Sequence, residues 1–365
     1  MINILHTIDT TGPGGAETVF VNLVKGLDAH HFKSIAVIRG PGWVCRALQG
    51  IGIEPIFVQS KGGFNFHYLL ELVKIIRKHK IDLVQSHLLG SNLYCSLAGM
   101  ICRVPVVSTF HGFVDSSGND RLMSLKTRLI NAGSRKIVFV SDRLREHFVL
   151  RYGFSAEKSI TIYNGVDTCL FKPQRDEEIR KELGIGPEHI LIGALGNIRP
   201  AKGYEYFLKA ARLVYDKNPD CRFVITGEGS GLLYESLLTL RKDLGLGGVF
   251  FFLGFREDTA KLLNNLNIFL LSSISEGFSI STIEAMACKV PVVVTRSGGP
   301  EEIVSNGVNG ITVDCDEHEI ANGIFKLIEN SDTIKYIINN SYTAVNGKFS
   351  LKKMIETYQC TYNYL

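Results

Sequence analysis

Two patterns of apolar and polar positions alternate along the chain. Short apolar runs of strand length are separated by longer segments in which apolar residues recur with helical spacing. In the first half, strands are predicted at residues 2–8, 33–38, 54–58, 83–85, 106–109, 136–140 and 159–162. Helices are predicted between them at residues 16–27, 64–80, 92–102, 122–133 and 142–151. This alternation predicts a parallel sheet covered by helices on both faces.

The same rhythm restarts in the second half. Strands are predicted at residues 190–195, 222–226, 249–253, 268–271, 291–295 and 310–313. Helices are predicted at residues 204–216, 232–244, 259–264, 281–287, 300–304 and 317–329. The turn signals Asn164-Gly165 and Pro173 mark the change between the halves. We therefore expect an α/β chain of two doubly wound, Rossmann-like domains, 1–168 and 169–349, followed by a terminal helix at 350–365.

Composition narrows the class of protein. The 365 residues are 45% hydrophobic and 21% charged, which suits two folded domains with sizeable cores. A net charge of +4 does not indicate nucleic-acid binding, which needs a concentrated basic surface. The N-terminus lacks the pattern of a signal peptide, and no apolar run approaches the roughly 20 residues that span a bilayer. None of the eight cysteines forms a Cys-x-x-Cys pair, so a reducing, cytoplasmic location is expected.

Candidate chemistry lies in loops that follow strands, because doubly wound sheets bind ligands at the carboxyl ends of their strands. Residues 10–17 include Gly14 and Gly15 and open a helix, so their backbone can approach a phosphate. The alternative is a plain tight turn. The loop is not the Gly-x-Gly-x-x-Gly fingerprint, which argues against a dehydrogenase.

A second loop, residues 196–203, carries two cations after a strand. Arg199 can bind two oxygens at once and Lys202 acts as a point charge, so the pair suits a diphosphate. Gly196 begins this loop. A solvated basic loop is the alternative.

A third loop, residues 275–284, places Glu276 before a helix and Glu284 within it. Gly277 permits a sharp turn, and the N–H groups at the helix start can hold a diphosphate. The two carboxylates suit sugar hydroxyls, since they are poor neighbours for phosphate. Glu284 could instead be a surface residue paired with a cation. Because its neighbours are apolar, it needs a partner that offsets its desolvation.

Four weaker signals also follow strands. His111, in residues 108–112, could hydrogen-bond a sugar or a phosphate, or could be a structural histidine. His87 is a similar candidate. Residues 227–229, with Glu228 between two glycines, and residues 298–301 could present backbone N–H groups or could be ordinary turns.

Together these motifs resemble family 4 of the glycosyltransferases, which has the GT-B fold. The resemblance covers essentially the whole chain and rests on the motifs occurring in order, each at a strand end. They are residues 14–17, 111–112, 164–167, 196–203 and 227–229, and the Glu276…Glu284 pair, which is the E-x7-E motif of the family.

The resemblance implies roles for these residues. Arg199 and Lys202 would bind the donor diphosphate and stabilise the leaving group. Glu276 would bind hydroxyls of the transferred sugar, and Glu284 those of the ribose. Backbone N–H groups near Gly277, Phe278, Ser279 and Ile280 would hold sugar and phosphate. Gly14, Gly15, Gly196 and Glu228 would complete the donor site, and His111 would contact the donor sugar.

The resemblance also implies an activity. A hexose-type sugar would move from a nucleotide diphosphate sugar, by default a UDP-sugar, to a glycan or lipid-linked acceptor in cell-surface polysaccharide synthesis. The anomeric configuration would be retained, and closure of a cleft between the domains would assemble the site. We expect no metal or other cofactor, because Arg199, Lys202 and the helix start could take the role of a divalent metal. The first domain would hold the acceptor, near residues 60–66 and 113–121, and the C-terminal helix at 350–365 would cross back onto this domain.

Several features leave room for other interpretations. The first half carries cations that could contact the inner face of an anionic membrane or could be an ordinary solvated surface. They are Lys74, Arg77, Lys78, Lys80, Lys126, Arg128, Arg135, Lys136, Arg143, Arg145 and Arg151. A nucleotide-sugar 2-epimerase of the same fold and a non-catalytic nucleotide-sugar-binding relative are the alternatives to a transferase.

Overall fold

A computed structural model describes residues 1–59, 65–113, 122–174 and 177–365. The chain divides into two compact units. Unit 1 comprises Met1–Asn164 together with Leu351–Leu365, and unit 2 comprises Gly165–Ser350. The division after Asn164 falls within the segment of turn signals where the change between halves was expected.

Unit 1 is built on a seven-stranded parallel sheet in the order β3-β2-β1-β4-β5-β6-β7. The strands are β1 (Ile2–Ile8), β2 (Phe32–Ile38), β3 (Ile56–Phe57), β4 (Leu83–His87), β5 (Val106–Phe110), β6 (Lys136–Phe139) and β7 (Ser159–Thr161). Strands β4 and β5 are buried along their whole length, although both carry polar residues, which are Gln85, Ser86 and His87 in β4 and Ser108 and Thr109 in β5.

Helices cover this sheet. They are α1 (Gly15–Gly26), α2 (Trp43–Gln49), α3 (Phe66–Lys78), α4 (Leu89–Cys102), α5 (Met123–Gly133), α6 (Asp142–Tyr152) and the C-terminal α15 (Leu351–Asn363). One core cluster lies between the sheet and α3 and α4, and another lies beneath α1 and α2. Helix α15 packs against α1, where its Ile355 occupies the space that a side chain at Gly26 would need.

Unit 2 repeats the plan with a six-stranded parallel sheet in the order β10-β9-β8-β11-β12-β13. The strands are β8 (Ile190–Leu195), β9 (Cys221–Thr226), β10 (Phe250–Phe252), β11 (Ile268–Leu271), β12 (Val292–Thr295) and β13 (Ile311–Val313). The helices are α7 (Glu178–Glu182), α8 (Tyr204–Lys217), α9 (Gly231–Asp243), α10 (Thr259–Asn265), α11 (Ile280–Ala287), α12 (Pro300–Ile303), α13 (Glu317–Glu329) and α14 (Ser331–Lys348).

The strand orders confirm the predicted α/β class with two Rossmann-like parallel sheets. In unit 1 the strand order proceeds from β1 to β3 on one side of β1 and from β4 to β7 on the other, and in unit 2 it proceeds likewise on the two sides of β8. Each sheet therefore has a switch point beside its first strand. Loops that follow β1 and β4 in unit 1, and β8 and β11 in unit 2, therefore open beside the switch points.

In the part of the chain that the structure describes, three α-helices lie where none was predicted. Helices α2 and α7 are short, with seven and five residues. Helix α14 has 18 residues, and its buried Ile337, Ser341 and Val345 recur every four positions. The polar segment 339–341 and Gly347 interrupt its pattern of apolar residues, so the sequence does not show a clear helical period here.

Within the described residues, no helix is both long enough and apolar enough to cross a membrane. The predicted acceptor loops at residues 60–66 and 113–121 lie almost entirely outside the described residues.

Candidate active site

The loop after β8 is shaped by backbone positions that exclude side chains. Gly196 has a φ of +151°, and the Tyr204 hydroxyl donates to its carbonyl oxygen at 2.6 Å. A Cβ at Gly227, in the loop after β9, would lie 2.1 Å from that same carbonyl oxygen. The two loops can therefore meet only because Gly227 has no side chain.

Residues Pro200–Lys202 form one turn of 3₁₀ helix that aims Lys202 towards the loop after β11. The Lys202 Nζ donates to Glu276 Oε1 at 2.5 Å, and the Ser273 hydroxyl donates to the same oxygen at 2.8 Å. The Lys202 and Glu276 side chains are 21% and 13% exposed. Because the ion pair is partly buried, solvent and salt screen it less than they would screen a fully exposed surface pair.

Backbone contacts hold the two loops in register. The Ile274 amide donates to the Ala201 carbonyl oxygen at 2.8 Å, and the Ser272 hydroxyl donates to the Lys202 carbonyl oxygen at 3.0 Å. Gly203 has a φ of +58°, and a Cβ there would lie 2.4 Å from the Ser272 carbonyl oxygen. Lys202 is thus placed by its backbone as well as by its charge.

Helix α11 starts beside Glu276. Ser279 is its N-cap, and the Ser279 hydroxyl accepts from the Thr282 amide at 3.3 Å and from the Thr282 hydroxyl at 2.8 Å. The amides of Ile280 and Ser281 have no acceptor within their own helix, because the carbonyl group four residues earlier lies outside it. They can therefore bind an anion. Phe278 is buried against Phe349, which anchors the entry to the helix.

Glu284 lies in the second turn of α11 among the buried residues Ile283, Ala285 and Met286. Desolvation raises the pKa of its carboxyl to about 7. No described side chain forms an ion pair or hydrogen bond with this carboxylate. The partner that the sequence requires for Glu284 is therefore not supplied by the described part of the chain.

Arg199 and Glu228 occupy more open positions. Arg199 precedes the 3₁₀ turn and is exposed, so the two loop cations are not equivalent: Lys202 is paired and Arg199 faces solvent. The Glu228 side chain is exposed too, whereas its amide donates to Asn197 Oδ1 at 3.0 Å and its carbonyl oxygen accepts from the Ile198 amide at 2.7 Å. Glu228 thus joins the loops after β8 and β9 through its backbone.

In unit 1, Gly14 and Gly15 lie at the start of α1, as predicted. Gly14 is the N-cap, and its carbonyl oxygen accepts from the Thr18 amide at 2.9 Å. A Cβ on Gly14 would lie 2.5 Å from Glu17 Oε2, so this carboxylate folds back over the helix start. Gly15 is exposed.

His111 follows β5 in unit 1 and contacts a second histidine. Its Nε2 lies 2.8 Å from Nδ1 of His87, and the two rings stack with their centroids 5.1 Å apart. Burial lowers the pKa of His111 to about 3 and lowers the pKa of His87 well below its usual value. Both rings are neutral at physiological pH.

Sequence reasoning missed several residues that support these sites. Ser273 bonds Glu276 beside Lys202, and Tyr204 bonds the Gly196 carbonyl oxygen. Gln85 contacts His87, and Tyr362 contacts Gln85. The position of Ser273 three residues before Glu276 is a local signal that could have been found. The contact between Gln85 and Tyr362 spans 277 positions and leaves no local signal.

Both units match known protein families. A family described as Glycosyltransferase Family 4 matches residues 13–169, and one described as Glycosyl transferases group 1 matches residues 175–344.

Two curated relatives match most of the chain. The UDP-Gal:alpha-D-GlcNAc-diphosphoundecaprenol alpha-1,3-galactosyltransferase of Escherichia coli is 24% identical, covering 79% of this chain and 76% of its own. The N-acetyl-alpha-D-glucosaminyl L-malate synthase of Bacillus anthracis is 24% identical, covering 80% of this chain and 77% of its own. Among solved structures, Anabaena HepE in complex with UDP and glucose superposes with a TM-score of 0.91 at 23% identity, and the match covers 100% of both chains.

Proposed function

Because this chain belongs to family 4 of the glycosyltransferases, which makes it a hexosyltransferase of the GT-B class, we propose that it transfers a hexose from a UDP-sugar with retention of anomeric configuration. The acceptor is a glycan or a lipid-linked glycan in cell-surface polysaccharide synthesis. The observation that carries the site assignment is the meeting of Lys202, Glu276 and the start of α11 at one edge of the unit 2 sheet.

The chemistry follows from charge. Breaking the anomeric bond leaves UDP with additional negative charge on its terminal phosphate. Lys202 is held in place by Glu276, and the Ile280 and Ser281 amides are fixed by the helix, so these donors need little rearrangement as that charge develops. Arg199, at the open side of the same loop, adds a second cation for the diphosphate.

The carboxylates of Glu276 and Glu284 bind the uncharged hydroxyl groups of the donor. Glu276 keeps one oxygen on Lys202 and Ser273, and its other oxygen accepts a hydrogen bond from a hydroxyl of the transferred sugar. Glu284 accepts from the ribose hydroxyls. This assignment gives Glu284 the partner that its desolvated position demands.

For His111, which follows β5, and for Gly14 and Gly15 at the start of α1, contacts with the sugar and the phosphate of a donor stay predictions from the family resemblance. Backbone groups of Gly196, Gly277, Phe278 and Ser279 line the donor site in unit 2, and the backbone of Glu228 joins two of its loops. No divalent metal is required in this proposal, since the cations and the helix start take its role.

The preference for a UDP-sugar rests on relatives. The name of the Escherichia coli protein specifies UDP-galactose as donor, and Anabaena HepE was solved with UDP and glucose. The test is a panel of UDP- and GDP-hexoses, with release of the nucleotide measured by chromatography. We expect release from a UDP-hexose, and release from GDP-hexoses alone would contradict the choice of nucleotide.

We further propose that unit 1 contacts an anionic membrane when the acceptor is lipid-linked. Helix α5 exposes Leu125, at 52%, beside the exposed Arg128, and Leu150 near the end of α6 is 85% exposed beside Arg151. Apolar and cationic side chains together favour binding at an anionic surface, with about 1 kcal/mol per cation. Flotation with anionic but not neutral liposomes is expected, and equal recovery with both kinds would contradict the proposal.

A further inference from the structure

The backbone of Glu276 is bound by the loop that follows β12. The Glu276 amide donates to the Ser297 carbonyl oxygen at 2.9 Å, and the Gly299 amide donates to the Glu276 carbonyl oxygen at 2.9 Å. Glu276 and Gly298 thereby pair as residues of a parallel sheet do. Both backbone polar groups of Glu276 are used, so the position of its side chain depends on the shape of residues 297–299.

The two loops meet backbone to backbone. A Cβ on Gly299 would lie 2.2 Å from the Gly277 carbonyl oxygen and 2.8 Å from Phe278 Cα, so only a residue without a side chain fits there. Gly298, beside it, has a φ of +122°, which favours glycine. Because no flexible side chain lies between the loops, a shift of one loop displaces the other.

The carboxylate of Glu301 binds the loop after β12 from its far side. Glu301 lies in α12, and its Oε2 accepts from the Ser297 amide at 3.1 Å and from the Gly298 amide at 2.9 Å. Hydrogen bonds from two amides to one carboxylate are charge-assisted, which makes them stronger than bonds to a neutral acceptor. Helix α12 has only four residues, so this side chain contributes much of the order of the loop.

The contacts continue from the Glu276 backbone to its side chain. Glu276 Oε1 accepts from Lys202 Nζ at 2.5 Å and from the Ser273 hydroxyl at 2.8 Å. Both donors bind the same oxygen, so a displacement of the Glu276 backbone would weaken both contacts at once. Glu301 therefore influences the ion pair of the donor site although its own printed partners are backbone amides.

We propose that Glu301 is a positioning residue that acts through Glu276. Its carboxylate fixes residues 297–299, these residues fix the backbone of Glu276, and the Glu276 carboxylate is thereby held where it binds Lys202 and a sugar hydroxyl. The part that concerns the sugar rests on the proposed function. Every residue in this series of contacts belongs to unit 2.

The first test measures the backbone without substrate. Glu301→Met keeps the length of the side chain and loses the acceptor, so the Glu276 and Gly299 amides of the full-length protein should exchange their hydrogens about tenfold faster, as after loss of a hydrogen bond. Mass spectrometry with fragmentation to single residues measures this exchange. Glu301→Asp, which retracts the carboxylate by one methylene group, should also speed it. Wild-type exchange at both amides in either folded variant would overturn the proposal.

A second test asks whether Glu301 acts through Glu276. Glu301→Met should lower kcat for transfer from a UDP-hexose about tenfold, since it misplaces a group that orients the donor, and Glu301→Gln, which keeps an acceptor oxygen, should recover most of the rate. In a Glu276→Gln background, Glu301→Met should have little further effect, because residues that act as one unit are not additive. Calorimetric affinity for UDP, which carries no sugar, should stay unchanged. The full loss in that background would contradict the proposal.

The control is Glu319→Gln, which changes an exposed carboxylate in the first turn of α13 of the same unit. This variant should keep the wild-type amide exchange and transfer rate, and faster exchange at Glu276 would show that the effect is not specific to Glu301. If no UDP-hexose serves as donor, the proposed function fails, whereas the exchange at Glu276 and Gly299 still decides whether Glu301 positions the loop.

Discussion

Lys202 and Arg199 are the two cations of one loop, and the structure gives them different surroundings. Lys202 is fixed by Glu276 at 2.5 Å, whereas Arg199 is exposed. A donor that is already in place loses little free energy to reorganisation when charge develops, so Lys202 should contribute more to the rate of transfer. The sequence predicted that both residues follow a strand but did not distinguish them, because the ion pair joins residues from loops after separate strands.

Replacement of Lys202 tests this difference. We expect Lys202→Ala to lower the transfer rate about 100-fold or more, as loss of a fixed donor does, and Arg199→Ala to lower it less. Steady-state rates with a saturating donor are the measurement. Lys242→Ala, at the exposed end of α9, is the control and should transfer sugar at the normal rate. Near-normal turnover of Lys202→Ala would exclude its role.

Glu284 gives a second residue-scale prediction, on nucleotide binding. Its carboxylate lacks a partner among the described side chains, so ribose hydroxyls should be its ligand. We expect Glu284→Ala to weaken calorimetric affinity for UDP about tenfold, in line with the loss of a hydrogen bond to a charged group. Glu329→Ala, at the exposed end of α13, should bind UDP like the wild type. Equal affinities for all three proteins would contradict the assignment.

The raised pKa of Glu284 also predicts a dependence of stability on pH. The native carboxyl keeps its proton up to about pH 7, whereas the unfolded one loses it near its ordinary value. The contribution of Glu284 to stability is therefore present at low pH and is lost as the pH rises through 7. The unfolding temperature of Glu284→Gln minus that of the wild type should therefore be larger at pH 8 than at pH 5. The same difference at both pH values would argue against a desolvated carboxyl.

At the scale of elements, the predictable features are those with a local pattern. Strands β1, β8 and β11 are apolar runs next to turn residues, and their bounds match the predicted ones. Helix α11 was predicted because Ser279 and Gly277 are local start signals. Helix α14 was missed because its buried stripe is interrupted by polar residues, and its packing against α11 is what makes it a stable helix.

Gly203 offers a test of how the loop after β8 is built. Gly203→Ala would strain the positive φ and also force the new Cβ against the Ser272 carbonyl oxygen. Gly184 has a similar φ, +65°, but open space around it, so Gly184→Ala isolates the backbone strain, about 1–2 kcal/mol. We expect denaturant unfolding to show a larger loss for Gly203→Ala. Equal losses would mean that the loops are not in close contact.

At the scale of the whole molecule, the division into two units was predictable because the pattern of strands and helices repeats. The return of the last segment to unit 1 depends on side chains such as Tyr358 and Tyr362, which are buried there beside strand residues far away in sequence. Helix-like spacing predicted the helix, and only the three-dimensional contacts show what lies beneath it.

Metal independence is a prediction for the complete enzyme. If fixed cations and the start of α11 neutralise the leaving UDP, transfer should continue in the presence of EDTA at a rate within about twofold of the untreated protein. The measurement is UDP release before and after chelation, with added magnesium as a control. Loss of activity that magnesium restores would show that a metal has a role that we assign to side chains.

The central claim is best tested by following the donor sugar itself by ¹H NMR. Wild-type protein with a UDP-hexose should release UDP and give, at early times, a product with the anomeric configuration of the donor, and Lys202→Ala should do so at least about 100-fold more slowly. Inversion at the anomeric carbon, epimerisation of an intact donor without release of UDP, or equal rates for the two proteins would contradict the account.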